Sequence, residues 1–131
     1  MQKPKILIVD DEKETRKILK DHLSQRIECQ LFECSDGDQV LSLIKGDCFD
    51  LVILDIRMPG LSGLDLIRQL HENNPTVYIL VISAWDDSDI IQEAIKQGAH
   101  DFLHKPLSLK AITLKIKHAL MKIDKYIPLK K

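Results

Sequence analysis

At 131 residues, 44% hydrophobic and 30% charged, the chain has the make-up of one globular domain and is too short for two independent cores. A formal net charge of −1 gives bulk electrostatics no reason to select nucleic acid or an anionic membrane, and no apolar run approaches the ~20 residues of a membrane span. Cys29, Cys34 and Cys48 lack a C-x-x-C pair and read as reduced thiols, which with no signal peptide points to a cytoplasmic protein.

Taken in chain order, apolar runs alternate with segments of helical period. Residues 5–9 predict a strand, β1, and 13–25 a helix, α1, with Ile18, Leu19, His22 and Leu23 on its inner face. A weaker strand, β2, covers about 28–33, where Glu28, Gln30 and Glu33 mark a sheet edge. Ser35-Asp36-Gly37-Asp38 opens α2, which runs through Ile44, and β3 spans 50–54. Ser62-Gly63 opens α3, with Leu64, Ile67, Leu70 and His71 in step, and Asn73-Asn74-Pro75 closes it. Strand β4 covers 77–82, helix α4 runs from Asp86 to Gln97 and stops at Gly98, and a short β5 lies at 100–103. The last helix, α5, starts at Ser108 and carries Leu109, Ile112, Ile116, Ala119, Ile123 and Tyr126, long enough to continue into a linker helix or a coiled coil. Strict alternation, with β1, β3 and β4 apolar almost throughout, predicts an α/β doubly wound parallel sheet in the order 2-1-3-4-5, flavodoxin-like.

The polar residues worth chemistry stand where those strands end. Asp10-Asp11 follows β1, Asp55 follows β3, Ser83 follows β4, and Lys105-Pro106 follows β5. Ligands of open α/β sheets collect at such tips. Each residue has a plainer use: Asp10 and Asp11 as helix caps, Asp55 as a turn residue before Pro-Gly, Ser83 as part of a cap, Lys105 as a surface lysine. Together they form a different object. Crowded carboxylates repel one another and their ionised forms need a cation; an oxygen-only set with room for water and a phosphate suits Mg²⁺. Ser83 and Lys105 offer a hydroxyl and an ammonium for phosphoryl oxygens. An Asp nucleophile in that company is equipment for phosphoryl transfer to an aspartate. The five histidines show no metal-ligand spacing; His100 and His104, four apart, straddle a strand end and a loop.

The combination of Ile8-Val9-Asp10-Asp11-Glu12, Leu54-Asp55-Ile56-Arg57-Met58-Pro59-Gly60, Ser83-Ala84 and Gly98-Ala99-His100-Asp101-Phe102-Leu103-His104-Lys105-Pro106 resembles the receiver domain of bacterial two-component response regulators, over about residues 4–125. The resemblance implies a phosphorylation-dependent switch in which Asp55 accepts a phosphoryl group from a phosphohistidine of a sensor histidine kinase or phosphotransfer protein. It implies Mg²⁺, with Mn²⁺ an alternative, held by Asp11, Asp55 and the backbone carbonyl of Arg57, Asp10 acting mostly through a bound water. Lys105 would pair with the phosphoryl group and Ser83 would hydrogen-bond it, with Phe102 as the aromatic partner of that switch. Lys105-Pro106 would be a cis peptide. The resemblance also places Arg57 and Trp85 at rim positions that influence the rate of dephosphorylation; there a guanidinium and an indole would either shield the phosphoaspartate from water or point to solvent or pack on one another.

The output would be a change of the α4-β5-α5 face acting on an unknown effector domain or partner, with a homodimer through that face, where Lys96, Asp101 and Lys115 lie, as one form. The domain would not act as an enzyme on separate substrates, nor bind nucleic acid or membrane directly. Residues 1–125 would be the receiver and 126–131 a tail or the start of a linker. From Lys105 onward there are eight lysines and one acid, Asp124, a solvated basic face or a docking surface for an acidic partner. An aspartate-nucleophile phosphatase is the enzyme-class rival, disfavoured by Arg57 where a second acid is usual; a receiver-like module that takes no phosphate is disfavoured by the intact set of five.

Overall fold

The computed structural model describes residues 3–57, 62–84 and 88–127. Five strands and five helices alternate: β1 Lys5–Val9, α1 Lys13–Ser24, β2 Gln30–Cys34, α2 Gly37–Gly46, β3 Leu51–Asp55, α3 Gly63–Asn73, β4 Tyr78–Ser83, α4 Ser88–Gln97, β5 Asp101–His104 and α5 Leu109–Lys122. All strand pairs are parallel and the sheet order is β2-β1-β3-β4-β5, the doubly wound α/β fold expected.

The apolar runs form buried strands because both faces of the sheet are covered. Their side chains alternate between two cores. Leu7, Val9, Val52, Leu54, Ile79 and Val81 pack with Val40 and Ile44 of α2, Leu66, Ile67 and Leu70 of α3, and Ala94 of α4. Ile6, Ile8, Leu51, Ile53, Leu80 and Ile82 pack with Leu19 and Leu23 of α1 and Ile112, Ile116, Ala119 and Leu120 of α5. Fully burying one such side chain is worth roughly 1.5–3 kcal/mol; with both faces covered, a one-residue slip of a central strand would keep these residues buried but swap them between the two cores. Caps fit this reading: the side chains of Asp36 and Ser108 accept from the Gln39 and Ala111 amides, and that of Ser62 from the Leu64 amide.

Several expectations shift. Strand β2 lies two residues later than expected at its start, because its register is fixed by pairing Lys5 with Gln30 through Val9 with Cys34. Ile18, expected inside, is 52% exposed; α1 buries Leu19 and Leu23, and His22, half-buried on the inner face as expected, bonds Thr113 Oγ1 of α5 at 2.7 Å. On α3 the deeply buried positions include Leu66, while Leu64 and His71 are half-buried. Helix α5 does not run on: it ends at Lys122, and Asp124 adopts a left-handed conformation with φ 58°. Ile123 and Tyr126, placed on its stripe by their spacing, lie beyond its end yet pack on the α1/α5 core. The chain then turns back to the sheet edge, where the Glu28 amide donates to the Ile127 carbonyl at 3.0 Å. The expected start of α4 at Asp86 lies outside the described residues.

Candidate functional site

Each site residue stands where a buried ladder ends. The Asp10 amide donates to the Cys34 carbonyl at 3.1 Å, one step beyond the β1–β2 pairing. Asp55 is the last residue of β3 and pairs with Ile82 of β4. Ser83 ends β4 opposite His104 of β5, and the Lys105 amide donates to the Ser83 carbonyl at 2.7 Å. Four strand tips therefore converge around the point between β1 and β3 where the winding reverses, the ligand crevice of this fold type. Gly63 is needed close by: a Cβ there would lie 2.7 Å from the Ile56 carbonyl oxygen, so only glycine lets α3 start against the strand that delivers Asp55.

Asp10, Asp11 and Asp55 each present a carboxylate oxygen, and these lie within 4.8 Å of one another. Asp10 and Asp55 are buried, at 1% and 4% exposure, and Asp11 faces solvent. Lys105 Nζ donates to Asp55 Oδ2 at 2.8 Å and sits 3.8 Å from Asp10 Oδ2 and 3.5 Å from Glu12 Oε1. The other oxygens are partly answered by backbone: Asp10 Oδ1 accepts from the Glu12 amide at 2.8 Å, and Asp55 Oδ1 from the Arg57 amide at 3.0 Å. Asp10 Oδ2 and Ser83 Oγ are buried and no hydrogen-bond partner among the described residues reaches them. Such atoms cost free energy unless something else pairs with them.

The electrostatics agree. Burial raises the Asp10 pKa, and the charges of Asp55 and Glu12 add to it, while the Glu12 amide and Lys105 oppose them. Burial alone would pull Lys105 down, but its hydrogen bond to Asp55 and the charges of Asp55, Asp10 and Glu12 outweigh that and leave it raised. One ammonium faces three crowded carboxylates, and the oxygen-only donors with an orphaned Oδ2 fit a divalent cation bound there.

The structure thus brings together Asp10, Asp11, Asp55 and Lys105, and puts Ser83 on the adjacent tip. The Lys105–Pro106 peptide is cis, as expected. Phe102 is half-buried against the core under α2, α3 and α4, its ring 5.5 Å from that of His104 in edge contact. Arg57 contributes its amide to Asp55; Trp85 and the stretch Met58-Pro59-Gly60 lie outside the described residues. Lys115 spends its charge inside the chain, bonding both Asp101 oxygens at 2.9 Å.

Two residues that pattern reading passed over touch the site. Glu12 shares Lys105 with the aspartates. Arg16 Nη1 donates to the Asp10 carbonyl at 2.7 Å while its Nε donates to Glu33 Oε1 at 2.8 Å. An acidic residue directly after an acid pair could have signalled the first. Nothing local signals the second, because Glu33 reaches Arg16 only once β2 lies beside β1.

The family described as "Response regulator receiver domain" matches residues 6–117. Sporulation initiation phosphotransferase F of Bacillus subtilis is 31% identical over 99% of this chain and 98% of its own length. The probable transcriptional regulator ycf27 of Porphyridium aerugineum is 36% identical over 95% of this chain, which spans 51% of that protein. Among solved structures, a response regulator receiver domain protein from Clostridium thermocellum superposes with a TM-score of 0.85 at 28% identity, covering 92% of this chain and 97% of the other. The chain spans only 25–51% of the length of the first curated relatives it matches.

Proposed function

The chain belongs to the response regulator receiver family, whose members are phosphorylation-dependent two-component switches, and on that footing we propose that Asp55 is its phosphoryl acceptor. The donor is a phosphohistidine of a sensor histidine kinase or a phosphotransfer protein. The observation that carries this reading is the 2.8 Å contact of Lys105 Nζ with Asp55 Oδ2, inside a cluster whose Asp10 Oδ2 and Ser83 Oγ have no hydrogen-bond partner among the described residues.

Each residue then has a task. Asp55 oxygen forms the new O–P bond as the donor's N–P bond breaks, and the electron pair returns to the imidazole. Asp55 is presented for this by the rigid end of β3, with one oxygen already turned by the Arg57 amide. Lys105 follows the charge from the Asp55 carboxylate to the phosphoryl oxygens, and Ser83 Oγ supplies a hydroxyl donor for another. Asp10, Asp11, Asp55 and the Arg57 carbonyl would hold Mg²⁺, or Mn²⁺ in its place. When bound, that ion neutralises the acids and offsets charge on the phosphoryl group.

The domain acts on itself, catalysing its own phosphorylation and hydrolysis rather than turnover of a separate substrate. Phe102, close to the β4–β5 tips, carries the change outward as Ser83 is drawn to the phosphate, altering the α4-β5-α5 face that meets an effector domain, a partner or a second copy. Arg57 and Trp85 set how long the phosphate lasts. Residues 1–125 form the receiver and 126–131 a tail or the start of a linker. No helix among the described residues is long and apolar enough to cross a membrane, and we assign the protein to the cytoplasm.

Incubation with a small phosphodonor and Mg²⁺, read by intact mass, tests the acceptor. The parent chain gains one phosphate and Asp55→Asn gains none; a stable adduct on Asp55→Asn, or turnover of the donor with no adduct on the parent, refutes the assignment.

A further inference from the structure

The acid pair is held from behind. The Asp10 carbonyl accepts Arg16 Nη1 at 2.7 Å, and the same guanidinium donates through Nε to Glu33 Oε1 at 2.8 Å. The second Glu33 oxygen takes Lys20 Nζ at 2.6 Å. Those two hydrogen bonds, Lys20 first and Arg16 next, hold the Glu33 carboxyl below its usual range. The Arg16 side chain is only 12% exposed. Its guanidinium is planar, so bonding Glu33 at one edge fixes the direction in which the remaining N–H groups point. One of them, on Nη1, meets the Asp10 carbonyl oxygen.

That oxygen matters because of what shares its plane. The Asp10 carbonyl and the Asp11 amide belong to one planar peptide unit. Asp10's own amide is already tied to the Cys34 carbonyl at 3.1 Å. Fixing its carbonyl as well sets the orientation of the peptide that joins the two acids. Asp11 is exposed, so the place of its carboxylate rests on the backbone that carries it.

We infer that Arg16, held by Glu33 of the edge strand, is a positioning residue for Asp10 and Asp11: it fixes their shared peptide in the orientation from which both carboxylates meet a divalent cation. The inference rests on the cation reading of the site. It makes a prediction opposite in sign to simple electrostatics. A guanidinium beside a cation site repels the cation, so its removal should tighten binding if charge were its only effect. Loss of an orienting partner behind a metal ligand instead weakens binding, typically by 10-fold or more.

The test is calorimetric titration of Mg²⁺ alone into the full chain, its Arg16→Gln variant and its Arg16→Lys variant, with thermal melting in chelator to establish that each folds. Arg16→Gln is expected to bind Mg²⁺ about tenfold more weakly than the parent. Arg16→Lys keeps the charge but cannot bond Glu33 and the Asp10 carbonyl in one rigid plane; it too is expected to bind more weakly, and it carries the test if the glutamine variant fails to fold. Binding by Arg16→Gln as tight as the parent or tighter, or by Arg16→Lys equal to the parent, overturns the inference while the cation reading stands. A parent chain that takes up no Mg²⁺ overturns the cation reading and the inference with it.

Discussion

The two ends of the sheet handle charge in opposite ways. At the end where the strands begin, Lys5 Nζ pairs with Asp47, the Lys5 amide donates to Asp50 Oδ2 at 2.8 Å, and Lys125 lies 4.0 Å from the other Asp50 oxygen. Asn73 and Asn74 donate to the Ile44 and Phe49 carbonyls, and the Ile79 amide finds His100 Nδ1 at 3.1 Å. At the end where the strands finish, Asp10 and Asp55 are buried beside Asp11, one lysine reaches Asp10, Asp55 and Glu12, and no hydrogen-bond partner among the described residues reaches Asp10 Oδ2 or Ser83 Oγ. The same fold is closed and satisfied at one end and left electrostatically open at the other. Polar groups that would stabilise if paired lack hydrogen-bond partners where the proposed cation and phosphoryl group would bind, a trade of stability for function.

This contrast can be broken by substitution, and the largest expected effect is at the satisfied end. Gly98 has φ 125°, and a Cβ there would fall 2.1 Å from the His71 ring, whose Nε2 contacts the Gly98 carbonyl at 2.6 Å. Gly98→Ala should lose about 2–4 kcal/mol in chemical denaturation, combining backbone strain with overpacking. A loss below roughly 1 kcal/mol would mean that this turn is looser than its contacts imply.

The open end should respond with the opposite sign. In chelator, Asp10→Asn removes one of the crowded charges and keeps an acceptor for the Glu12 amide, so it should gain roughly 1 kcal/mol. Saturating Mg²⁺ should then stabilise the parent more than the variant and reverse their order. A loss of stability in chelator would show that the acids are not in conflict.

The smallest effect concerns His100, stacked on Tyr78 at 4.5 Å between ring centres. His100→Leu leaves the Ile79 amide without its acceptor and should cost about 1 kcal/mol near pH 7. Although His100 is exposed overall, partial desolvation of its ring, together with the charges of His71 and Lys122, lowers its pKa from the ordinary 6.5. A histidine lowered in the folded state is protonated more readily when unfolded, so its contribution is intact above pH 6.5 and is lost as pH falls from there toward the folded value. Asp10 has the reverse sign: raised in the folded state, it relieves the open end as pH falls through that value toward 3.8. Acidification therefore loads one end and unloads the other. Stability curves of the parent, Asp10→Asn and His100→Leu should separate accordingly; parallel curves would remove the distinction between the ends.

Much of this was legible in the amino-acid order. The uninterrupted apolar run Leu51–Leu54, buried throughout, and the period-3.6 burial in α5 are local patterns, and the alternation of elements leaves few sheet orders open. Asp10, Asp11, Asp55, Ser83 and Lys105 could be picked out because each ends or follows an apolar run, and such ends share one side of a parallel sheet. The misreadings had a common origin. Ile18 fits the stripe of α1 and yet is exposed, while Ile123 and Tyr126 fit the stripe of α5 and yet lie beyond a helix that stops at Lys122. Periodicity reports which residues could share a face and says little about where a neighbour stops covering it.

By itself, then, the sequence determined the doubly wound sheet and which carboxylates, hydroxyl and ammonium meet at its edge, since those follow from short-range pattern and strand handedness. The tertiary structure alone decided how the meeting is held. Arg16 reaches Glu33 across 17 residues, and Lys105 reaches Glu12 across 93. Long charged side chains carry no local signature of their partners, because the attraction exists only after packing sets the two elements side by side.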